Sequence, residues 1–330
     1  MKKFLSAFCC SVICFFCVAG CVQKDGAVKV RVNEVTHSIF YAPFYAAVEN
    51  GYFKDEGLEI ELTNGGGADK SMSALLSNSA DVGLMGPEAA IYVYLNGKTD
   101  YPKIFAQLTK RDGSFLISRK NDAQPFDFNL MQNKEVIAGR RGGVPAMTLE
   151  YALKEKGLVN GTNLTLNFDV QFALTAAAFD GGTGDYCTLF EPTASEFEKA
   201  GKGYVVASVG EFSGEVPYTA FMALDGYIKK NGETVKKFVK ALKRGVDFTM
   251  TATDEELVAA LKKQFPSISD ESVITSIKRY RIIDAWVSKL TLNEQAFERL
   301  KNIMRSAGEL NGDAPYSKMT FNDYANEIDK

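Results

Sequence analysis

The chain has 330 residues, one histidine, six cysteines and a formal net charge of −3 from 38 basic and 41 acidic side chains. That mildly acidic balance, with no polybasic tract, argues against nucleic acid as a partner. The length provides for roughly two domains, enough for stability to come from packing alone.

Taken from the start, Lys2 and Lys3 precede an apolar run from Phe4 to Val18, and Val18-Ala19-Gly20-Cys21 then reads as a lipobox. The run is too short for a comfortable transmembrane helix, and its charge order is that of an export signal. The expectation is a signal peptide over 1–20 and lipid on Cys21, which two acyl attachments would hold to the outer face of a cell membrane. Residues 21–27 then act as a tether. Losing Lys2 and Lys3 takes the formal charge from −3 to −5. Cys9, Cys10, Cys14 and Cys17 leave with the signal, so Cys187 remains the one thiol of a 310-residue domain with no disulfide framework.

The next segments alternate between short apolar runs and amphipathic stretches. Val28 to Val35 predicts a strand, Ala42 to Asn50 a helix stopped by Gly51, Leu58 to Thr63 a strand, and Asp69 to Asn78 a helix capped by Asp69. Asp81 to Met85, Lys103 to Thr109 and Ser114 to Arg119 continue as strands, and Met147 to Lys156, Ala194 to Ala200 and Thr234 to Thr251 as helices. Beyond Leu224 the pattern is helical, through Glu255 to Gln264, Asp270 to Ile283 and Asn293 to Ala307. Such alternation predicts an α/β protein with mainly parallel sheets, whose ligand sits beyond the carboxyl ends of strands.

Several of these junctions carry a pattern. Ala42-Pro43-Phe44-Tyr45-Ala46-Ala47, followed by Gly51-Tyr52-Phe53-Lys54-Asp55-Glu56-Gly57-Leu58, resembles the opening of the substrate-binding proteins for nitrate, sulfonate, taurine and thiamine-pyrimidine import. Gly65-Gly66-Gly67, Gly86-Pro87-Glu88, the run Gly139 to Pro145 and Leu189-Phe190-Glu191-Pro192 resemble later junctions of that family in the same order. The resemblance implies a type II periplasmic-binding-protein fold, with two α/β lobes joined by two crossover strands. Ser114 to Arg119 and Tyr218 to Leu224 are the expected crossovers, which gives lobe 1 as 28–115 with 222–330 and lobe 2 as 116–221. It further implies a small-molecule ligand, an importer permease with its ATPase as partner, and a monomer.

Candidate site residues follow from the loops after strands. Phe40 and Tyr41 could stack on a planar ligand. Phe44 and Tyr45 fall on different faces of one helix, so not all four aromatics can face a cleft. His37 sits beside them as a possible hydrogen-bonding group, though a lone histidine is as often a loop residue. Gly66, Gly67, Gly142 and Gly143 allow close backbone approach ahead of helix starts, where free amides hold an anion. Arg140 and Arg141 are adjacent and cannot both point inward; Arg141 is the candidate clamp. Glu88 and Glu191, at strand ends, would accept from an amino group and repel a sulfonate; the plainer alternative is helix-dipole stabilisation. Thr188 and Tyr218 complete the set, and Trp286 is left to packing.

No catalytic residue, cofactor or metal ligand set is expected, since the mature chain offers only His37 and Cys187 and no nucleophile elbow. The fungal-type pyrimidine synthase shares the fold but carries a cysteine-rich motif lacking here, so the protein is read as a receptor rather than an enzyme. The aromatic loop and the acids favour a flat nitrogen heterocycle; the glycine loops and arginines suit an alkanesulfonate, taurine or nitrate. A sensory lipoprotein without transport is the other alternative.

Overall fold

The computed structural model describes residues 26–122 and 124–330. The signal segment, the lipobox and Cys21 lie outside the described residues. Ten strands form two five-stranded sheets. The first contains β1 (Val28–Glu34), β2 (Leu58–Asn64), β3 (Val82–Met85), β4 (Pro102–Thr109) and β10 (Thr219–Leu224) in the order β2-β1-β3-β10-β4. The second contains β5 (Ser114–Ser118), β6 (Glu135–Ile137), β7 (Thr165–Asn167), β8 (Tyr186–Phe190) and β9 (Tyr204–Ser208) in the order β7-β6-β8-β5-β9.

The sheets are mixed, which corrects the mainly parallel expectation. β1 pairs parallel with β2 and β3, but β10 runs antiparallel to both β3 and β4. Likewise β6 pairs parallel with β7 and β8, while β5 opposes β8 and β9. In both cases the odd strand is the first one laid down after the chain changes sheet. A chain arriving from the other lobe enters at the cleft end, where its neighbours finish, and so must run against them. β5 lies wholly in the second sheet and β10 wholly in the first. The changes of sheet therefore fall within 110–113 and 209–218, a few residues before the expected boundaries at 115/116 and 221/222.

Most expected elements have counterparts within a few residues. Asp69 is not the cap of its helix: Ala68–Leu76 starts at Gly67, with Asp69 in the first turn. The helix Glu88–Leu95 has no periodic signal, because its face toward the core and its opposite face are both apolar or aromatic.

The first-lobe core is built on aromatic edges. Phe44 meets Phe53 and Phe221 at ring-centroid distances of 5.8 and 5.3 Å, and Phe238 of the long Gly232–Thr251 helix lies 5.1 Å from Phe221. Such pairs are worth about 0.5–1.5 kcal/mol each beyond their buried area. The outer core of the second lobe combines buried Leu116, Val136, Leu149, Leu153 and Leu164 with the ring pairs Phe126–Phe128 and Phe126–Tyr186.

The helical tail belongs to the first lobe by chain order yet grips the second. Arg279, in the Asp270–Ile282 helix, pairs with Glu191 at 2.6 Å and Glu198 at 2.5 Å. Tyr280 Oη donates to the Gly113 carbonyl at 3.1 Å, in the first change of sheet, and accepts from the Glu191 amide at 3.0 Å. Arg299, in the Glu294–Ser306 helix, donates to the Ser213 carbonyl at 2.7 Å, and that helix packs on Val144–Glu155.

Candidate functional site

A cavity of about 220 Å³ lies where the carboxyl ends of the two sheets face each other. The first lobe supplies Val35 and Thr36 after β1, Gly66 to Lys70 after β2, Gly86 and Glu88 after β3, Tyr41, and Thr219 at the start of β10; the second supplies Arg140, Gly143 to Pro145, Gln171, Phe172 and Phe190. Tyr218 closes it from the second crossing segment.

Glu88 is the chemical centre of this cavity. It is 1% exposed, in the first turn of Glu88–Leu95, and its Oε1 accepts from the Val144 amide across the cleft at 3.2 Å. Its Oε2 is buried with no hydrogen-bond partner. Burial pushes the carboxyl up to about 7, and the Val144 amide, Arg140 and the helix-start amides offset only part of that. Gly86 makes the arrangement possible: a Cβ there would stand 2.0 Å from Glu88 Oε2. A buried carboxyl with a free oxygen is costly unless it keeps its proton or meets an N–H.

The remaining polar groups divide by position. Burial pushes the phenols of Tyr41 and Tyr218 well up, so both stay neutral, and the Asp112 carboxyl adds to the effect on Tyr218. Tyr218 Oη also lacks a hydrogen-bond partner. At the exposed edge, Arg140 Nε stands 3.8 Å from Asp69 Oδ1, linking the lobes. Lys70, beside it, makes no ion pair among the described residues. The aromatic wall consists of Tyr41 from one lobe, and Phe172 and Phe190 from the other, the latter pair 5.7 Å apart between ring centroids.

The structure brings Tyr41, Gly66, Gly67, Glu88, Gly143 and Tyr218 to one cavity. Gly66, at φ +69°, takes the left-handed turn that lets the backbone follow its wall. Thr188 lines a smaller adjoining space instead. The other candidates line neither. His37 turns back to Glu34 Oε1 at 2.7 Å and the Gln264 carbonyl at 3.0 Å, with its ring stacked on Phe265. Phe40 is fully buried between the lobes, 5.1 Å from the Tyr280 ring and 5.7 Å from Phe190, and its carbonyl accepts from Trp286 Nε1 at 2.9 Å. Arg141 lies over the Phe168 ring at 4.1 Å, while its neighbour Arg140 takes the cavity side. Gly142 offers its carbonyl to Tyr92 Oη at 2.8 Å. Glu191 is saturated by the Ser195 amide and hydroxyl and by Arg279.

Phe172, Phe190, Thr36 and Lys70 were not among the sequence candidates. Phe190 had a usable signal: in β8 the period of two puts it on the same face as Thr188. Phe172 opens a 3-10 helix of three residues, Phe172–Leu174, too short to carry a period. Among the described residues no cluster of His, Cys, Asp and Glu could hold a metal ion, and no helix is long and apolar enough to cross a membrane.

Two α/β lobes with a cavity between facing strand ends define a periplasmic-binding-protein fold. The NMT1/THI5-like family model matches residues 39–256, and the chain belongs to that family. It is 41% identical over 318 residues to the Bacillus subtilis protein named "Putative binding protein YtlA", covering 96% of this chain and 95% of that one. A Saccharomyces cerevisiae 4-amino-5-hydroxymethyl-2-methylpyrimidine phosphate synthase, THI13, is 22% identical over 222 residues, 64% of each chain. Among solved structures, the alkanesulfonate-binding protein SsuA of Xanthomonas axonopodis pv. citri superposes with a TM-score of 0.71 at 15% identity, over 89% of this chain and 98% of that one.

Proposed function

We propose that this protein is the solute-capturing lipoprotein of an ATP-driven importer. It would be held by lipid at Cys21 outside the cell membrane, close its lobes on a small molecule and deliver it to a permease. The preferred cargo is a flat nitrogen heterocycle with an N–H donor, such as a thiamine-related pyrimidine. The observation that carries this reading is Glu88, whose free buried oxygen wants a donor in a cavity flanked by Tyr41, Phe172 and Phe190. The family membership and the likeness to YtlA support the receptor role.

An alkanesulfonate or another oxyanion is the second reading, favoured by Lys70 and Arg140 at the cavity edge and by the fold shared with SsuA. An enzyme reading, raised by the distant likeness to the fungal synthase, is weakened because His37 faces Glu34 and Phe265 rather than the cavity, and Cys187 is buried.

Calorimetric titration of wild type and Glu88→Gln against a 4-aminopyrimidine and an alkanesulfonate tests the cargo. Hydrogen bonds to charged groups are worth about 1.5–3 kcal/mol, so the aminopyrimidine should weaken by roughly ten- to a hundredfold in the variant. The sulfonate should be unaffected or improve. Tight sulfonate binding to the wild type that ignores Tyr41→Ala would overturn the heterocycle. Cys21→Ser should release the domain or leave it unprocessed; normal membrane-bound, lipidated protein would overturn the anchor.

A further inference from the structure

Beside the main cavity lies a second space of about 130 Å³, and the two share Thr36, Pro145, Phe172 and Phe190 in their linings. They therefore stand back to back against the same pair of rings. The main cavity alone is smaller than the range of about 300–1,000 Å³ usual for ligand clefts, and the two together reach it. Their chemistry differs. The main cavity has Glu88, Asp69, Lys70 and Arg140 in its lining, whereas the side chamber has no charged residue at all. Its lining includes the threonines Thr36, Thr175, Thr188 and Thr193 together with Ala138, Ala176 and Leu189.

An uncharged chamber whose walls are about as rich in hydroxyls as in apolar groups accepts a neutral arm that carries hydroxyls, and it offers a charged group no counter-charge. We infer that the ligand of this protein has two parts: a polar head in the main cavity and an uncharged arm that passes Phe172 and Phe190 into the side chamber. Thr36 is the only first-lobe residue of that chamber, and all its other walls come from the second lobe. The arm thus gains its last contact only when the lobes close, which is the differential contact that drives closure.

This inference rests on the receptor reading above, and the experiment separates the two. Two homologous probe series are titrated by calorimetry: 4-aminopyrimidines with neutral hydroxyalkyl arms of increasing length, and straight-chain alkanesulfonates. Each series is measured against wild type, Ala176→Leu and Thr188→Leu. Ala176 is a half-buried residue that lines the chamber and not the main cavity, so its variant narrows the chamber and leaves the head site in place. For a series whose head binds, wild-type affinity should rise with arm length until the chamber is full, by up to about threefold to fourfold per methylene. In both variants that gain should vanish, while the shortest member binds within about twofold of wild type. A head that binds with affinity independent of arm length, or a gain that persists in both variants, would overturn the side chamber alone. Absence of binding by both series would remove the ligand reading and the chamber with it.

Discussion

Glu88 and Glu191 both lie at the passage from a strand to the helix after it, Glu88 three residues past β3 and Glu191 directly after β8, and both are at most 1% exposed. Their fates are opposite. Glu191 has each oxygen engaged, by Arg279, Ser195 and Ser276, because the tail helix Asp270–Ile282 folds over it. Glu88 faces the cavity with one oxygen unpartnered. A buried acid is structural or functional according to what packs on it, and the element that decides here lies about ninety residues further along the chain in the one case and is absent in the other.

The sharpest way to break this contrast is to strip Glu191 of its cation. Arg279→Met should destabilise the protein by about 3–5 kcal/mol, measured by urea unfolding, because a fully buried carboxylate loses its counter-charge. Loss of less than about 1 kcal/mol would make Glu191 resemble Glu88 after all. Glu88→Gln should do the reverse. With the folded carboxyl raised to about 7, the folded protein holds a proton that the unfolded chain releases near the ordinary glutamate value of 4.5. Stability from this group is therefore present in acid and is lost as pH rises from about 4.5 to 7. The variant should lack that share of the slope and be more stable than wild type at pH 8, by roughly 2–3 kcal/mol. Asp112, also buried and raised to about 7, keeps its own share of the slope in the variant.

Smaller effects test the junction between the two glutamates. Trp286→Phe leaves the Phe40 carbonyl without its donor and should cost about 1 kcal/mol in the same unfolding assay. His37→Gln should have the smallest effect and a distinct pH signature. Burial alone would lower the His37 value; the Glu34 hydrogen bond and the Gln264 carbonyl outweigh it and raise it. That stability is present below about pH 6.5 and fades as pH rises through the raised folded value, so the gap between variant and wild type should narrow in alkali. A gap that widens there would mean that the neutral ring, packed on Phe265 and close to Tyr45, matters more than its charge.

The strand and helix pattern was legible because each of these elements buries one face, and burial writes a period into the sequence. What escaped includes β8 and β9, five residues each, which were not named as strands, and elements that are short or two-sided. β6 and β7 have three residues each, too few for a period, and Glu88–Leu95 is apolar on every side. Of the sequence candidates, Tyr41, Gly66, Gly67, Glu88, Gly143 and Tyr218 line the main cavity, each placed at the end of a strand or the start of a helix that the sequence pattern shows. Local chemistry failed for His37, Phe40 and Glu191, whose partners Phe265, Tyr280 and Arg279 come from the tail. Arg141 was the wrong member of an adjacent pair, a choice that only Phe168 and Asp69 could make.

The tail's grip on the second lobe has a consequence for how such a protein is tuned. Arg279 and Arg299 fasten that lobe at two places without touching the cavity lining. Contacts of this kind can bias the angle between the lobes without altering the lining, and where the competent angle is only partly populated the apparent affinity of a ligand scales with that fraction. Selectivity would then rest with the cavity and overall avidity with the tail. Substitutions in the tail can raise or lower the working concentration range of the protein while its choice of cargo stays the same.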